Sequence, residues 1–486
     1  MNKTLVGEGL VTSSVLDQQV RWQQPMMIRH GVDQTRLVLE DAPREAAPFS
    51  FLVMGDTDAG DTDAGDTAKE SSLFAEAFAQ QLLAHATDSQ FLLHTGDVTY
   101  PTGSYENYLN GFLQPYRSLV DNFPASPDYR NWEIVFNKPL LPVPGNHDYA
   151  IGRSQLWQKV MRAVCDRLRK TIGLDLGHYG GQGGEAYAHT FLDDLARLDP
   201  EQLRNHLAAH YAAHDKVTAD SAVAKAGLHY RAGHFTRLPN RYYSFRCGGV
   251  DFFALDSNTW KTSSDVPGFD HAQLDWLVRS LVRSWQTPGT AGRIIYMHHS
   301  PYTTEVSRWQ QSDTLWVRKH LRSVFARVRQ ALPDKISRYR DKQYRDKQRL
   351  VDLVISGHAH CLEHLQTASN TDFADMGMDW VICGGSGASL RSRWRSESAE
   401  ILENVPQRGS LYPKVVAKSR MYVGNHVKNN KKQSLYSFIR VEVRPEQACK
   451  FQVVPYVVSK GQTGWRTQRL NVLKTHAAEM VGSCYV

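Results

Sequence analysis

The stretch Leu140-Leu-Pro-Val-Pro-Gly-Asn-His-Asp148 joins a short apolar run directly to residues that can bind metal or phosphate. An apolar run of this length is typical of a strand that is buried on both faces. The same arrangement, in which Asp or His closely follows the run, recurs at residues 49–56, 91–97, 294–299 and 353–360. The repetition predicts several buried strands with functional side chains at their carboxyl ends.

Amphipathic helical patterns lie between some of these strands. Apolar residues share one helix face in two segments, which are Leu73, Phe74, Ala77, Phe78 and Leu82, and Leu274, Leu277, Val278, Leu281 and Trp285. Strands that alternate with helices predict a layered α/β domain. Ligands of such sheets bind outside the carboxyl ends of the strands, so we expect the polar clusters to converge on one site.

The remaining patterns predict how the chain is organised. Residues 49–460 are expected to form one domain, preceded by an N-terminal extension (1–48) and followed by a C-terminal tail (461–486). Two insertions, at about 150–245 and 303–349, are expected to project as cap elements from the face that carries the polar clusters. The runs at 252–255 and 380–383 are interpreted as structural strands, and 435–443 and 451–458 as a β pair that completes the sheet.

Two exact tandem pentapeptides interrupt the sequence. Gly-Asp-Thr-Asp-Ala at residues 55–59 is repeated at 60–64, and Tyr-Arg-Asp-Lys-Gln at 339–343 is repeated at 344–348. They are too short for a solenoid, and surface loops tolerate added length because loop-closure entropy rises slowly with it. We interpret both as local duplications, with the alternative that the extra carboxylates of the first repeat serve the nearby site.

Composition excludes several classes of protein. The formal net charge of +7 on 486 residues is too small for a dedicated nucleic-acid-binding protein, and it suggests a mild attraction to anionic substrates. No segment approaches the roughly 20 apolar residues that span a bilayer, and the first 18 residues lack the apolar core of a secretory signal. Six cysteines without a C-x-x-C pair favour reduced thiols, so we expect a cytoplasmic protein.

The polar clusters together supply three His, two Asp and one Asn at the ends of predicted strands. This mixed nitrogen and oxygen set suits Fe, Zn or Mn and is poorly suited to a thiolate site. A single His is an ordinary core or surface residue, whereas five clusters in sequence indicate a metal centre. The candidate ligands are Asp56, Asp97, Asn146, His298, His358 and His360.

These clusters resemble the five sequence blocks of the calcineurin-like metallophosphoesterase superfamily, in the same order. The resemblance covers about residues 49–390, and its most specific parts are Gly145-Asn-His-Asp148 and Gly357-His-Ala-His360. It implies a layered α/β/β/α sandwich with two mixed sheets and inserted helical cap elements. It also implies a phosphoric ester hydrolase that uses two metal ions.

Within that superfamily the chain looks most similar to purple acid phosphatases, because Tyr100 matches their tyrosine ligand. The resemblance implies that Asp97 bridges two metals. Asp56, Asp97, Tyr100 and His360 would hold the first, and Asp97, Asn146, His298 and His358 the second. A phenolate ligand would favour Fe(III) in the first position, with Fe, Zn or Mn in the second. If Tyr100 is only a packed aromatic residue, the iron–tyrosinate centre is wrong.

Two parts of the ligand set stay open. The first block reads Asp56-Thr-Asp58, where many superfamily members have Asp-x-His. Asp58 therefore either coordinates in place of the His or faces solvent. Because of the tandem repeat, Asp61 or Asp66 is also conceivable as the ligand in place of Asp56. His298 and His299 are adjacent, and consecutive strand residues point in opposite directions, so one ligand is expected. Tyr302, four residues after His298, fits a family pattern that favours His298.

The family pattern also assigns residues to proton transfer. His147 would protonate or hydrogen-bond the leaving-group oxygen, and Asp148 would orient its other ring nitrogen. Glu363 is either a residue behind the ligands or an ordinary surface carboxylate.

Three functions fit the sequence. The first is hydrolysis of phosphomonoesters, as in acid phosphatases, and the second is cleavage of phosphodiesters such as cyclic nucleotides, nucleic acids or phospholipid head groups. The third is a binding scaffold in which the basic segment 318–349 contacts nucleic acid or another partner. Its Lys and Arg are interleaved with Asp, Gln and Tyr, which is more typical of a solvated helix. The intact ligand set favours an enzyme, and the oligomeric state is not determined.

Overall fold

The computed structural model shows a mixed α/β protein. It describes residues 25–43, 45–57, 68–124, 132–150, 184–211, 226–266, 269–332, 349–369, 373–387, 389–394, 399–407, 410–428, 431–445, 451–462, 464–473 and 475. The duplicated residues 58–66 and 339–348 and the glycine-rich stretch 177–183 lie outside these ranges, so Asp58, Asp61 and Asp66 stay predictions.

The strands and main helices follow in chain order. The strands are β1 Val32–Leu39, β2 Phe49–Met54, β3 Leu92–His94, β4 Leu140–Pro142, β5 Ala226–Tyr230, β6 Tyr243–Cys247, β7 Val250–Leu255, β8 Gly292–Met297, β9 Leu353–Ser356, β10 Leu362–Thr367, β11 Asp379–Cys383, β12 Glu400–Gln407, β13 Ser410–Val423, β14 Asn425–Lys428, β15 Lys431–Ser434, β16 Tyr436–Val443, β17 Phe451–Gly461 and β18 Gly464–Arg469. The helices are α1 Pro25–Arg29, α2 Ala68–Leu83, α3 Tyr105–Asn107, α4 Glu185–Phe191, α5 Pro200–His210, α6 His271–Gln286 and α7 Ser312–Ala331.

The strands form two large mixed sheets and a small hairpin of β14 and β15. One sheet has six strands in the order β18-β17-β16-β2-β3-β4, in which β2, β3 and β4 are parallel. The other has ten strands in the order β12-β13-β10-β11-β9-β8-β7-β6-β1-β5, in which β7, β8, β9 and β11 are parallel. The predicted α/β class with two mixed sheets is therefore confirmed.

Aromatic side chains fill the space between the two sheets. Phe51 and Phe91 of the six-stranded sheet stack with ring centroids 5.0 Å apart. Phe91 meets Phe252 of the ten-stranded sheet edge-on at 5.4 Å, and Phe252 stacks on Phe245 at 4.6 Å. Because both faces of these strands are covered, their apolar runs are nearly continuous, as the sequence indicates.

Helices cover the outer faces of both sheets. Phe74 of α2 packs on Tyr436 of β16 at 4.2 Å, while Leu73 is 57% exposed and points away from the face to which its spacing assigned it. Leu277 and Leu281 of α6 share a buried cluster with α7 and the ten-stranded sheet. The layers thus follow the order helix, sheet, sheet, helix. No helix within the described ranges is long and apolar enough to cross a bilayer.

Three segments assigned to the extension, the first insertion and the C-terminal tail contribute strands to these sheets. β1, from the first 48 residues, pairs in parallel with β5, which lies within the 150–245 insertion. At the other end, β16 and β17 pair with each other, as predicted. β16 also pairs with β2, and β18, which lies beyond residue 460, pairs with β17. The division of the chain into domains itself stays a prediction.

Most of the described part of the basic segment lies in helix α7, and two of the arginines of this helix are buried in ion pairs. Arg318 is 3% exposed, donates to the carbonyl of Pro301 and forms an ion pair with Glu403. Arg322 pairs with Asp375 at 3.0 Å and with Glu403 at 2.7 Å. Arginines that are buried against carboxylates cannot track a phosphate backbone, so these two do not support nucleic-acid binding.

Candidate metal centre

The loops that follow five parallel strands meet between the two sheets. Asp56, Asp97 and Asn146 follow β2, β3 and β4 of the six-stranded sheet, and His298 and His358 follow β8 and β9 of the ten-stranded sheet. Backbone hydrogen bonds join the loops: the Asp56 amide donates to the Gly96 carbonyl at 3.0 Å, and the His358 amide donates to the Asp56 carboxylate at 3.0 Å. Within each sheet the convergence follows from the parallel arrangement, because the carboxyl ends of parallel strands share one edge. The hydrogen bond from His358 to Asp56 joins the loops of the two sheets.

One group of side chains surrounds the hydroxyl of Tyr100. This oxygen lies 2.9 Å from Asp56 Oδ1, 2.9 Å from Asp97 Oδ2 and 3.3 Å from His360 Nε2. His360 Nε2 is also 3.6 Å from Asp56 Oδ1. The structure therefore brings together the four residues of the first expected ligand group.

A second group surrounds the ring of His298. Its Nε2 lies 3.1 Å from Asn146 Oδ1, 3.3 Å from Asp97 Oδ2 and 3.1 Å from Nδ1 of His358. One atom each of Asp97, His298 and His358 can be chosen so that all three lie within 4.8 Å of one another. Asp97 belongs to both groups, and its position between them is the one expected of a bridging carboxylate.

These separations fit metal ligation. Ligands about 2.0–2.2 Å from one ion lie about 3 Å from each other at tetrahedral or octahedral angles. The distances within each group, from 2.9 to 3.6 Å, match this spacing. The donors are hard oxygen atoms and imidazole nitrogens, which suit Fe, Zn or Mn.

The hydrogen bonds behind two histidines fix which ring nitrogen faces the centre without a proton. His298 Nδ1 lies 2.9 Å from the carbonyl of Thr95, and His360 Nδ1 lies 2.8 Å from the carbonyl of Ser389. A carbonyl only accepts, so each neutral ring carries its proton on Nδ1. The Nε2 lone pairs then point at carboxylate and amide oxygens, and a cation is the partner that satisfies such converging acceptors.

Burial and charge shift the pKa values of these groups strongly. Burial, with the nearby charge of Asp97, raises the pKa of Asp56 to about 8. Burial would also raise the pKa of Asp97, but the charges of His298 and His147 outweigh it and hold that pKa below its ordinary value. Burial alone would lower the pKa of His298, but the negative charge of Asp97 raises it to about 9. In the absence of a metal, a proton on His298 therefore balances the negative charge of Asp97.

Three of the expected ligands have left-handed backbone conformations, which residues other than glycine seldom adopt. The φ angles are +55° at Asp56, +50° at Asp97 and +66° at His358. Such a conformation costs of order 1–3 kcal/mol per residue and persists where the surrounding structure imposes it. Its presence at three strand ends around one point is typical of a functional site.

Glycines allow the loops to approach this closely. A Cβ atom at Gly145 would lie 2.2 Å from both the amide nitrogen and Oδ1 of Asp97, and one at Gly357 would lie 2.6 Å from Oδ2 of Asp56. These contacts are far shorter than van der Waals distance. They explain why Gly stands next to the ligands in the sequence blocks.

We expect Gly145→Ala to displace Asp97 and to lower the free energy of unfolding by about 1–3 kcal/mol, the usual cost of overpacking a buried site. Urea denaturation measures this change. Gly461→Ala is the matched control, because its Cβ would lie 3.5 Å from the nearest atom, the carbonyl oxygen of Gly464. Equal stability of the two variants would contradict the close approach of these loops.

His147 and Asp148 differ from the expected arrangement. His147 Nδ1 lies 2.8 Å from the carbonyl of Pro101, which therefore orients the ring. Asp148 was expected to do so, but its carboxylate instead accepts from Tyr108 Oη at 2.6 Å and from the amides of Gly145 and Val98. The physical reason is that Asp148 turns inward and is fully buried, whereas His147 stays partly exposed at the mouth of the site.

The structure also places the two residues that the sequence left ambiguous. β8 ends at Met297, so the strand alternation no longer applies and both His298 and His299 point inward with no exposed surface. His298 faces Asn146 and Asp97, while His299 Nδ1 lies 2.8 Å from Ser257 Oγ.

Glu363 is fully buried and accepts from Thr303 and Thr304, so the interpretation as a surface carboxylate is wrong.

Sequence reasoning missed several residues that support the loops. Asn258 Nδ2 donates to the carbonyl of Pro144 at 2.9 Å and so anchors the loop before Asn146. His94 accepts from the Gly96 amide at 3.1 Å and contacts Thr57 Oγ1 at 2.9 Å. A signal existed for His94, which is a buried polar residue inside an apolar strand, whereas nothing local distinguishes Asn258.

The fold and the donor cluster define a layered α/β protein with a candidate metal centre between its two sheets. The chain belongs to the calcineurin-like phosphoesterase family, whose sequence model matches residues 49–362. The predicted superfamily is thereby confirmed. Comparison with curated protein sequences gives no match.

Several solved structures are similar to this chain at low sequence identity. A purple acid phosphatase, PPD1 from yellow lupin (Lupinus luteus), is 13% identical with a TM-score of 0.43; the match covers 89% of this chain and 55% of that one, so the chain spans about half of its length. GAP50, the anchor in the inner membrane complex of Plasmodium, is 15% identical with a TM-score of 0.38 and coverages of 88% and 90%. PhoD is 12% identical with a TM-score of 0.39 and coverages of 90% and 75%.

Proposed function

We propose that this protein hydrolyses phosphoric esters with two metal ions. The first would be held by Asp56, Asp97, Tyr100 and His360, and the second by Asp97, Asn146, His298 and His358. The observation that carries the proposal is the convergence of imidazole nitrogens and carboxylate oxygens, about 3 Å apart, around a shared Asp97. The hard phenol oxygen of Tyr100 favours Fe(III) in the first position, with Fe, Zn or Mn in the second.

The residues around this centre have separable roles. Two bound cations would supply an activated water as nucleophile and charge stabilisation for the phosphoryl oxygens. His147 would donate a proton from Nε2 to the leaving oxygen while the carbonyl of Pro101 keeps the proton on Nδ1. Asp148 would hold the loops in place, because it accepts from the amides of both Gly145 and Val98.

Nearby arginines support phosphomonoesters as the substrate class. Burial and then the charges of Arg391 and Arg308 lower the pKa of His360 to about 3, so both positive charges influence this expected ligand. The Arg391 amide donates to the His360 carbonyl at 2.9 Å, which ties Arg391 to this ligand. A phosphomonoester carries two negative charges near neutral pH and a diester carries one, so a cationic surrounding favours the monoester.

The test compares two substrates on protein of measured metal content. Chain loaded with two metals is expected to hydrolyse p-nitrophenyl phosphate faster than bis(p-nitrophenyl) phosphate, and removal of the metals should abolish both reactions. Faster cleavage of the diester would contradict the proposed substrate class. No turnover of either compound, despite two bound metals, would contradict the hydrolase and favour a binding scaffold.

Tyr100→Phe is expected to remove the visible absorption band of iron-loaded protein, because the band requires a phenolate bound to Fe(III). Burial and then the charges of Asp56 and Asp97 raise the pKa of Tyr100 well above its ordinary value, so the phenol ionises only against a cation. An absorption spectrum at equal iron content measures this change. Tyr116→Phe is the control, because Tyr116 is buried and its hydroxyl lacks a partner among the described residues. A band that survives in Tyr100→Phe would leave Tyr100 as a packed aromatic residue.

A further inference from the structure

His358 differs from the other two expected histidine ligands in the environment of the ring nitrogen that faces away from the metal centre. In His298 and His360 this nitrogen is Nδ1, which is hydrogen-bonded to a backbone carbonyl. In His358 it is Nε2, which is buried without a hydrogen-bond partner among the described residues. Metal-binding histidines almost always donate their other N–H to a carboxylate, carbonyl or water. Among the described residues, no hydrogen bond to Nε2 fixes the orientation of the His358 ring.

The ring of His299 lies next to that of His358 and also has a buried Nε2. Its Nε2 also lacks a partner within the described part of the chain, and the His299 and His358 rings lie 4.4 Å apart. Ser257 Oγ accepts from the His299 backbone amide at 2.9 Å, so its own proton can go to His299 Nδ1 at 2.8 Å. The ring proton of a neutral His299 is then on Nε2, as it is on His358 when Nδ1 faces the metal.

The carboxylate of Asp313, in the first turn of α7, lies close to both rings. Asp313 Oδ2 is 4.0 Å from His299 Nε2, and one atom each of His299, Asp313 and His358 can be chosen so that all lie within 4.8 Å of one another. The Asp313 side chain is 17% exposed, and the helix N-terminus favours its negative charge. A movement of about 1 Å would bring it to hydrogen-bond distance from His299.

We propose that Asp313 is a positioning residue whose carboxylate accepts the Nε2 protons of His358 and His299. This contact would hold the His358 ring with Nδ1 toward the second metal and would make that nitrogen a stronger ligand. The inference rests on the proposed function, because it takes His358 as a metal ligand. It links helix α7, which supplies no ligand, to the strength of metal binding.

A third cation among the same three residues is the competing explanation. It would require His358 to bind metals through both ring nitrogens. Two N–H donors that face one carboxylate need no such cation, so the observations favour the hydrogen bonds.

The test measures zinc retained by the zinc-loaded full-length chain during titration with a chelator. The wild type should hold two zinc ions, and Asp313→Asn should release one of them at roughly 10- to 100-fold lower chelator concentration. Asp313→Glu should restore most of the affinity because it keeps the carboxylate. Glu201→Gln is the control for loss of an acidic residue in a first helical turn, at helix α5, which supplies no ligand; it should match the wild type.

The outcomes separate this inference from the function on which it rests. Two zinc ions held equally by wild type and Asp313→Asn would overturn the inference and leave the hydrolase proposal intact. Three in the wild type and two in Asp313→Asn would overturn it in favour of a third metal. Wild-type chain that binds no zinc, iron or manganese would contradict the hydrolase proposal itself. If Asp313→Asn does not fold, nitrogen-15 NMR of the zinc-loaded wild type tests the inference instead. We expect the Nε2 proton of His358 to be protected by its hydrogen bond. A proton that exchanges freely with water would overturn the inference.

Discussion

Asp97→Asn is expected to abolish metal-dependent hydrolysis, with kcat/KM reduced by more than roughly 100-fold. Asp97 is within hydrogen-bond distance of both Tyr100 and the backbone amide of His147. Burial would raise its pKa, but the charges of His298 and His147 outweigh burial and hold the pKa low, so Asp97 is ionised. The neutral amide cannot bridge two cations. Loss of residues behind the ligands alone costs roughly 10- to 100-fold, so loss of the shared ligand should cost more.

The measurement combines metal analysis with turnover of p-nitrophenyl phosphate. Asp193→Asn is the matched control, because Asp193 is also a buried carboxylate that accepts hydrogen bonds, from Tyr211 at 2.9 Å and His206 at 3.0 Å, but it contributes to neither ligand group. The control should keep two metals and full activity. An Asp97→Asn variant that retains both metals would contradict the bridging role.

His147→Ala is expected to lower kcat by roughly 100- to 10,000-fold for substrates with poor leaving groups, the usual cost of losing a positioned general acid. The loss should be much smaller for p-nitrophenyl phosphate, because nitrophenolate departs without a proton. The ring is partly exposed, lies 4.3 Å from the ring of Tyr100 and is held by the carbonyl of Pro101, so it is placed beside the centre rather than within it.

Steady-state kinetics with an alkyl phosphate and an aryl phosphate measure this difference. His234→Ala serves as the control, because His234 is exposed and lies in neither ligand group. Equal losses with both leaving groups would assign His147 to phosphate binding instead of proton transfer. Retention of two metals by His147→Ala would show that the effect is not a loss of ligands.

Much of the fold could be predicted because its strands are local patterns. The apolar runs at 49–54 and 353–356 became buried strands in two different sheets, and the two C-terminal runs pair with each other as expected. The pairing of β1 with β5 could not be predicted, because about 190 residues separate them and neither run is unusual in composition. Leu73 shows the same limit on a helix, where spacing allows a residue to face inward but packing decides.

The sequence by itself determined the family and the candidate donors, since the position of Asp, Asn or His directly after an apolar run is a local property of the chain. Only the tertiary structure decided how these donors are held. The Thr95 carbonyl sets the proton of His298 from about 200 residues away, Pro101 replaces Asp148 behind His147, and Asp313 comes close to His299 and His358. Hydrogen-bond partners of this kind depend on contacts between distant segments, which leave no periodicity in the sequence.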